Sequence, residues 1–227
     1  MSTPQEQAKA SLQDSDIVKL FNPLFSDIVE KDQFYQKKPL LAHYTTIQTI
    51  EKIISTKEVW FSNPLYMSDF QEVSFGLLES DRLLRADANV SEALRTPDRS
   101  AKFFSSYNYY RQEYIDKHLP DTYVFCLSEH HREDRDGLLS MWRGYGGNGN
   151  GAAIVFDAAA LNVLPESPLT ISKVEYATTV DRLDWISKKL KAFALLLGAS
   201  NLPDGKLFLP AHALFHRFKQ FALVHQT

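Results

Sequence analysis

Cysteine is almost missing from this chain of 227 residues: Cys126 stands alone. A single thiol excludes an internal disulfide framework and a multi-cysteine zinc ribbon or finger, and it fits a reducing compartment. Long apolar runs are missing too. The longest, around residues 192–197, falls far short of the roughly 20 residues that a membrane helix needs. The N-terminus, MSTPQEQAKASLQDSD, has neither the basic nor the apolar stretch of a secretory signal. Neither sign of charge dominates. The 25 basic and 28 acidic residues leave a formal net charge of −3, so no bulk basic field advertises a nucleic-acid partner. Internal repeats, low-complexity tracts and linkers are likewise absent. The expectation is a soluble, cytoplasmic protein with no membrane partner.

What remains is ordinary globular material, 44% hydrophobic and 23% charged, long enough for one generous domain. Residues 1–15 are polar and aperiodic and read as a mobile tail; residues 16–227 read as a single α+β domain. An apolar stripe runs through Ile17, Leu20, Phe21, Leu24, Phe25, Ile28 and Val29. Pro23 inside it predicts a short turn leading into a helix, with Asn22 as N-cap. Thr45 and Gln48 have capping-box spacing, and Ile47, Ile50, Ile53 and Ile54 predict the buried face of a short helix. Val59-Trp60-Phe61 is β-prone and stops at Asn63-Pro64. Residues 69–117 read as helical with a break near Thr96-Pro97-Asp98.

Tyr123-Val124-Phe125-Cys126-Leu127 has the pattern of a strand buried on both faces, with Cys126 packed as a small hydrophobe. A charged loop over 129–136 precedes a short helix holding Met141 and Trp142, then a glycine-rich turn, then the strand Ala152-Ala153-Ile154-Val155-Phe156. Thr170 to Tyr176 is a further candidate strand; 180–199 and 207–225 read as two helices parted by Pro203, Asp204 and Gly205. The fold class is therefore α+β, with a small mixed or antiparallel sheet of about four strands flanked by helices.

Gly144, Gly146 and Gly149 spell a formal G-x-G-x-x-G, but a helix precedes them and a strand follows. A dinucleotide fingerprint needs the opposite order, so these glycines read as a flexible turn. His130-His131 sits among Glu129, Glu133, Asp134 and Asp136 without metal-ligand spacing and reads as a solvated loop; no metal is expected. A metal-dependent hydrolase built on 129–136 and His43 is the competing reading. Asp69 and Glu72 form an i,i+3 acidic pair that suits a helix start better than an acid/base dyad. Trp60 and Trp142 read as core or cleft aromatics. His43-Tyr44, just before the capped helix, offers a neutral hydrogen bond and an aromatic face; these serve either packing or a nucleotide's ribose and base.

Six motifs follow one another: Leu41-Ala42-His43-Tyr44-Thr45; Val59-Trp60-Phe61-Ser62-Asn63-Pro64; Met67-Ser68-Asp69-Phe70-Gln71-Glu72; Phe125-Cys126-Leu127-Ser128-Glu129; Ser140-Met141-Trp142-Arg143-Gly144-Tyr145; and Gly151-Ala152-Ala153-Ile154-Val155-Phe156-Asp157. In that order, over about residues 38–220, they resemble a bacterial family known as domain of unknown function 2971, whose relatives include abortive-infection (phage-resistance) proteins. Ser68-Asp69 stands where family members usually show Asn-Asp. The family pattern continues past the last long helix into an acidic segment, so a closing strand and acidic motif are expected to be missing here. In motif style the family is similar to ADP-ribosyltransferase-like folds. That likeness implies that His43 holds the ribose of NAD, that Tyr44 and Trp60 or Phe61 line the nicotinamide side, and that Ser62 supports them. It also implies a late glutamate beside the anomeric carbon, where positive charge develops. Glu129 is the nearest substitute, with Ser128, Trp142 and Tyr145 as further motif positions. The alternatives are a non-catalytic binding module of a bacterial defence system or a truncated, inactive family member.

Overall fold

A computed structural model of the chain describes residues 14–27, 39–67, 70–160, 167 and 169–226. In chain order the elements are α1 (Asp14–Leu20), a 3-10 turn (Asn22–Phe25), β1 (Leu40–Thr46) and α2 (Ile47–Thr56). Next come α3 (Phe70–Ala86), α4 (Ala88–Leu94), α5 (Pro97–Glu113) and a π-helical turn (Tyr114–His118). Then follow β2 (Ser128–His130), α6 (Leu139–Tyr145), β3 (Gly151–Asp157), β4 (Glu175–Tyr176), α7 (Thr179–Ala199), α8 (Phe208–Val224) and β5 (His225–Gln226). The class is α+β, as predicted. The described residues gather into two compact units. One draws on 1–28, 68–120 and 174–227, the other on 29–67 and 121–173. None of the described helices is long and apolar enough to cross a membrane.

The first unit is helical, and its elements start where local chemistry says they should. Asp87, Thr96 and Thr178 each accept a backbone N–H three residues on, satisfying a donor that the first turn would otherwise leave unpaired. Buried residues of α7 recur as Ile186, Leu190, Phe193 and Leu197, one stripe of a helix that meets Phe21 and Phe103 at its Phe193 ring. Asp14 and Ser15, read as part of the tail, open α1, and Asn22 is not an N-cap: Phe21 precedes the turn, which Pro23 then initiates. The strand expected over 170–176 shrinks to β4, paired in parallel with β5.

One carboxylate ties this unit together. Asp27 accepts from Lys189 Nζ at 2.9 Å, Arg217 Nη2 at 2.6 Å and Trp185 Nε1 at 3.3 Å. Arg217 also lies over the Trp185 ring, which stacks on Phe221 at 4.2 Å. On α8, burial, followed by the charge of Lys219, lowers the pKa of both His212 and His216, that of His216 to about 4.

At the crossing of α3 and α8, a Cβ on Gly76 would fall 2.7 Å from the Ala222 Cα. Gly76→Ala should therefore lose stability, because overpacking of about 1–3 kcal/mol outweighs the helix propensity gained. Gly198→Ala, whose nearest atom would be 3.9 Å away, should gain up to about 1 kcal/mol. Urea denaturation reads both signs, and a change of the same sign in both would refute the close-approach argument.

The second unit is built on a three-stranded antiparallel sheet in the order β2-β1-β3. Thr46, not Thr45, caps α2, its hydroxyl accepting the Thr49 N–H. The isoleucine face of α2 is amphipathic but not buried: Ile54 is 64% exposed and Ile47 is exposed as well. Two further expectations fail together. Neither Val59-Trp60-Phe61 nor Tyr123–Leu127 is a strand; the segments meet through a single antiparallel bridge, Ser62 to Val124. With no sheet on either side to cover it, Cys126 is exposed rather than packed.

Candidate functional site

β1 is the central strand, and its alternation assigns the candidate residues to faces. Antiparallel partners share a face. Leu41 is opposite Glu129 and Phe156, so His43, Glu129 and Phe156 stand on one side of the sheet. Ala42 is opposite Ser128 and Val155, so Tyr44 and Ser128 stand on the other. His43 and Glu129 are diagonal neighbours, roughly 7–8 Å apart by the usual sheet spacing.

On the His43 face the organising group is Phe125, which the motif reading did not single out as a site residue. The His43 ring lies 4.4 Å from it at 30°, Phe61 5.4 Å at 37°, and Phe156 edge-on at 6.2 Å. Phe61 arrives there because Ser62 exchanges both backbone hydrogen bonds with Val124, at 2.9 and 2.8 Å, which sets the preceding residue against Phe125. His43 Nδ1 is 3.1 Å from the Cys126 carbonyl. A carbonyl only accepts, so in the neutral ring Nδ1 carries the proton and Nε2 is left as an acceptor. A ligand hydroxyl, such as one on a ribose, is the kind of donor that suits it. The Glu129 carboxylate pairs with Lys173 at 3.3 Å, both side chains being at least half exposed.

Tyr44 belongs to a different arrangement. It is 4% exposed, and its hydroxyl accepts the Leu138 N–H at 2.9 Å. Trp142 packs edge-on against it at 4.7 Å and donates Nε1–H to the Asp136 carbonyl at 2.7 Å. The loop that wraps the hydroxyl needs glycine at 137, where φ is +71° and a Cβ would fall 2.7 Å from the Tyr44 oxygen. Asp134 secures the same loop by accepting the N–H groups of Gly137 and Asp136, hydrogen bonds that lower its pKa.

The sequence-predicted residues are thus divided. His43, Phe61 and, through its backbone, Ser62 converge on Phe125, and Glu129 shares the face of His43. Tyr44 and Trp142 lie together on the opposite face as packing. Trp60 is neither core nor cleft: it is 84% exposed. Tyr145 is exposed on α6. Asp69 and the side chain of Glu72 fall outside the described residues. Among those described, no group of three or more His, Cys, Asp or Glu side chains is arranged to hold a metal ion.

Comparison with curated proteins and with solved structures gave no match. A family model described as protein of unknown function (DUF2971) matches residues 141–199. The matched stretch holds the Trp142–Tyr145 and Gly151–Asp157 motifs, and the four earlier motifs lie outside it. Over those residues the chain is similar to the DUF2971 family.

Proposed function

We propose that the sheet unit is a recognition module for a ring-bearing nucleotide, with NAD as the candidate ligand and the His43 face as the binding surface. The observation that carries this reading is the ring group around Phe125, where His43 and Phe61 both pack on one phenyl ring and remain partly open to solvent. Stacking supplies sequence-tolerant affinity for a planar base or nicotinamide. The His43 Nε2 lone pair adds direction by accepting a ribose hydroxyl. A place in bacterial phage defence is the setting that the family resemblance supports.

A second reading, ADP-ribosyl transfer, is favoured by Glu129. Departure of nicotinamide leaves positive charge at the anomeric carbon, and a carboxylate on the His43 face is the group that stabilises it. The ion pair with Lys173 is no barrier to that role, since an exposed pair is worth about 0–1 kcal/mol.

Calorimetry with NAD tests the first reading: the parent chain should bind at millimolar ligand or better and His43→Ala should bind far more weakly. Absence of heat and of saturation-transfer signal in the parent ends the proposal. Nicotinamide release tests the second. Glu129→Gln should keep NAD binding and lose turnover; binding without turnover in the parent leaves the recognition module alone.

A further inference from the structure

Two histidines outside the six motifs, His212 and His216, stand one turn apart on α8 of the helical unit. Positions i and i+4 share a helix face, the spacing by which helical histidine pairs clasp zinc in metalloproteases. Their ring centroids are 6.1 Å apart at 60°. A ring nitrogen about 2.1 Å from an ion puts its ring centre about 3.2 Å from that ion, so two rings on one ion have centres roughly 4.5–6.4 Å apart. The observed separation falls inside that span.

Both rings are held in place by aromatic neighbours. Tyr110 of α5 meets His212 at 4.8 Å, and Phe25 meets His216 edge-on at 5.9 Å. His216 Nδ1 is buried and makes no hydrogen bond among the described residues. A buried polar atom left so is costly, which points to a partner beyond the described residues. His212 is exposed and His216 half-buried, so solvent reaches the pair at His212.

We propose that His212 and His216 form a two-imidazole clip for a divalent transition-metal ion, with water in the remaining positions. No third His, Cys, Asp or Glu joins them among the described residues, so the site takes an ion by imidazole strength alone. Lys219, whose ammonium lies over the Tyr114 ring 5.4 Å away, adds a positive charge nearby. Repulsion by that charge weakens every divalent ion alike, so the ion expected to be held is the one that binds imidazole most strongly, and in the first-row order that ion is Cu2+, ahead of Ni2+ and Zn2+. The clip is independent of the ring-ligand reading.

The full chain titrated with Cu2+ alone should bind one equivalent ahead of any others, with an electron paramagnetic resonance spectrum showing two imidazole nitrogens. His212→Asn, a change at an exposed position, should weaken that equivalent about a hundredfold by removing one arm of the chelate. The double variant His130→Asn/His131→Asn should leave it intact. An unchanged affinity in His212→Asn, an affinity that follows His130 and His131, or a spectrum with fewer than two nitrogens overturns the assignment.

Discussion

Asp27→Ala is expected to destabilise the helical unit by about 3 kcal/mol, which for a chain of this size lowers the thermal midpoint by roughly 6–12 °C. The reason is what the alanine leaves behind. Arg217 is 3% exposed and Lys189 only 14%, and both aim at this one carboxylate. Removing it strands two cations in a poorly hydrated place; the Leu24 carbonyl, which accepts from both, offsets only part of the loss. Asp27→Asn should cost less, since the amide oxygen still accepts. Asp16→Ala, which breaks an exposed pair with Lys19, should change little.

The same site sets a pH dependence. Burial by itself would raise the Asp27 pKa, but the Lys189 hydrogen bond and the charges of Arg217 and Lys189 outweigh it and hold the group below the ordinary 3.8. A carboxylate lowered on folding stabilises the fold above its unfolded pKa and loses that effect as pH falls through the folded one. The gap between parent and Asp27→Asn should therefore stay constant from neutral pH to about 5 and close below about 4. Denaturation across that range checks it, and a loss under about 1 kcal/mol in Asp27→Ala at pH 7 would show that the pairing is incidental.

Nothing in the sequence announces Asp27, because its partners are more than 150 residues away. The helices around it were legible. α5, α7 and α8 carry long apolar periods and caps or breakers at their ends, signals that are local. The failures are of the opposite kind. A 3.6-residue period predicts that α2 has an apolar face, not that anything covers it, and Ile47 and Ile54 are in fact exposed. An apolar run such as Tyr123–Leu127 resembles a buried strand, yet burial on both faces requires neighbours, and among the described residues the sheet has three strands.

The candidate residues could be named from the sequence but not grouped, although one correction was available without coordinates. Once Leu40–Thr46 is read as a strand, consecutive side chains must point to opposite faces. His43 and Tyr44 therefore cannot line one pocket, whatever motif they share. Phe125 was harder to find. Its role depends on the Ser62–Val124 bridge, a pairing across 62 positions that neither segment's composition encodes.

That division of faces yields the sharpest comparison. Phe125→Ala removes the ring on which both His43 and Phe61 pack, so it should weaken a ring-bearing ligand by at least about 30-fold, on the order of 2 kcal/mol for a lost aromatic platform. It should also lower the stability of the sheet unit by about 2–3 kcal/mol, less than for a fully buried phenylalanine because the ring is only partly covered. Tyr44→Phe is the counterpart on the other face. It deletes the acceptor of the Leu138 N–H and should cost about 1–2 kcal/mol of stability, while ligand affinity stays within about threefold. Protection of the β1 amides by hydrogen exchange reads the stability losses, and NAD calorimetry reads affinity. Stability falls in both variants, so only affinity separates them. If Tyr44→Phe abolished binding and Phe125→Ala did not, the recognition surface would have to move to the face of Trp142 and the Asp134–Leu138 loop.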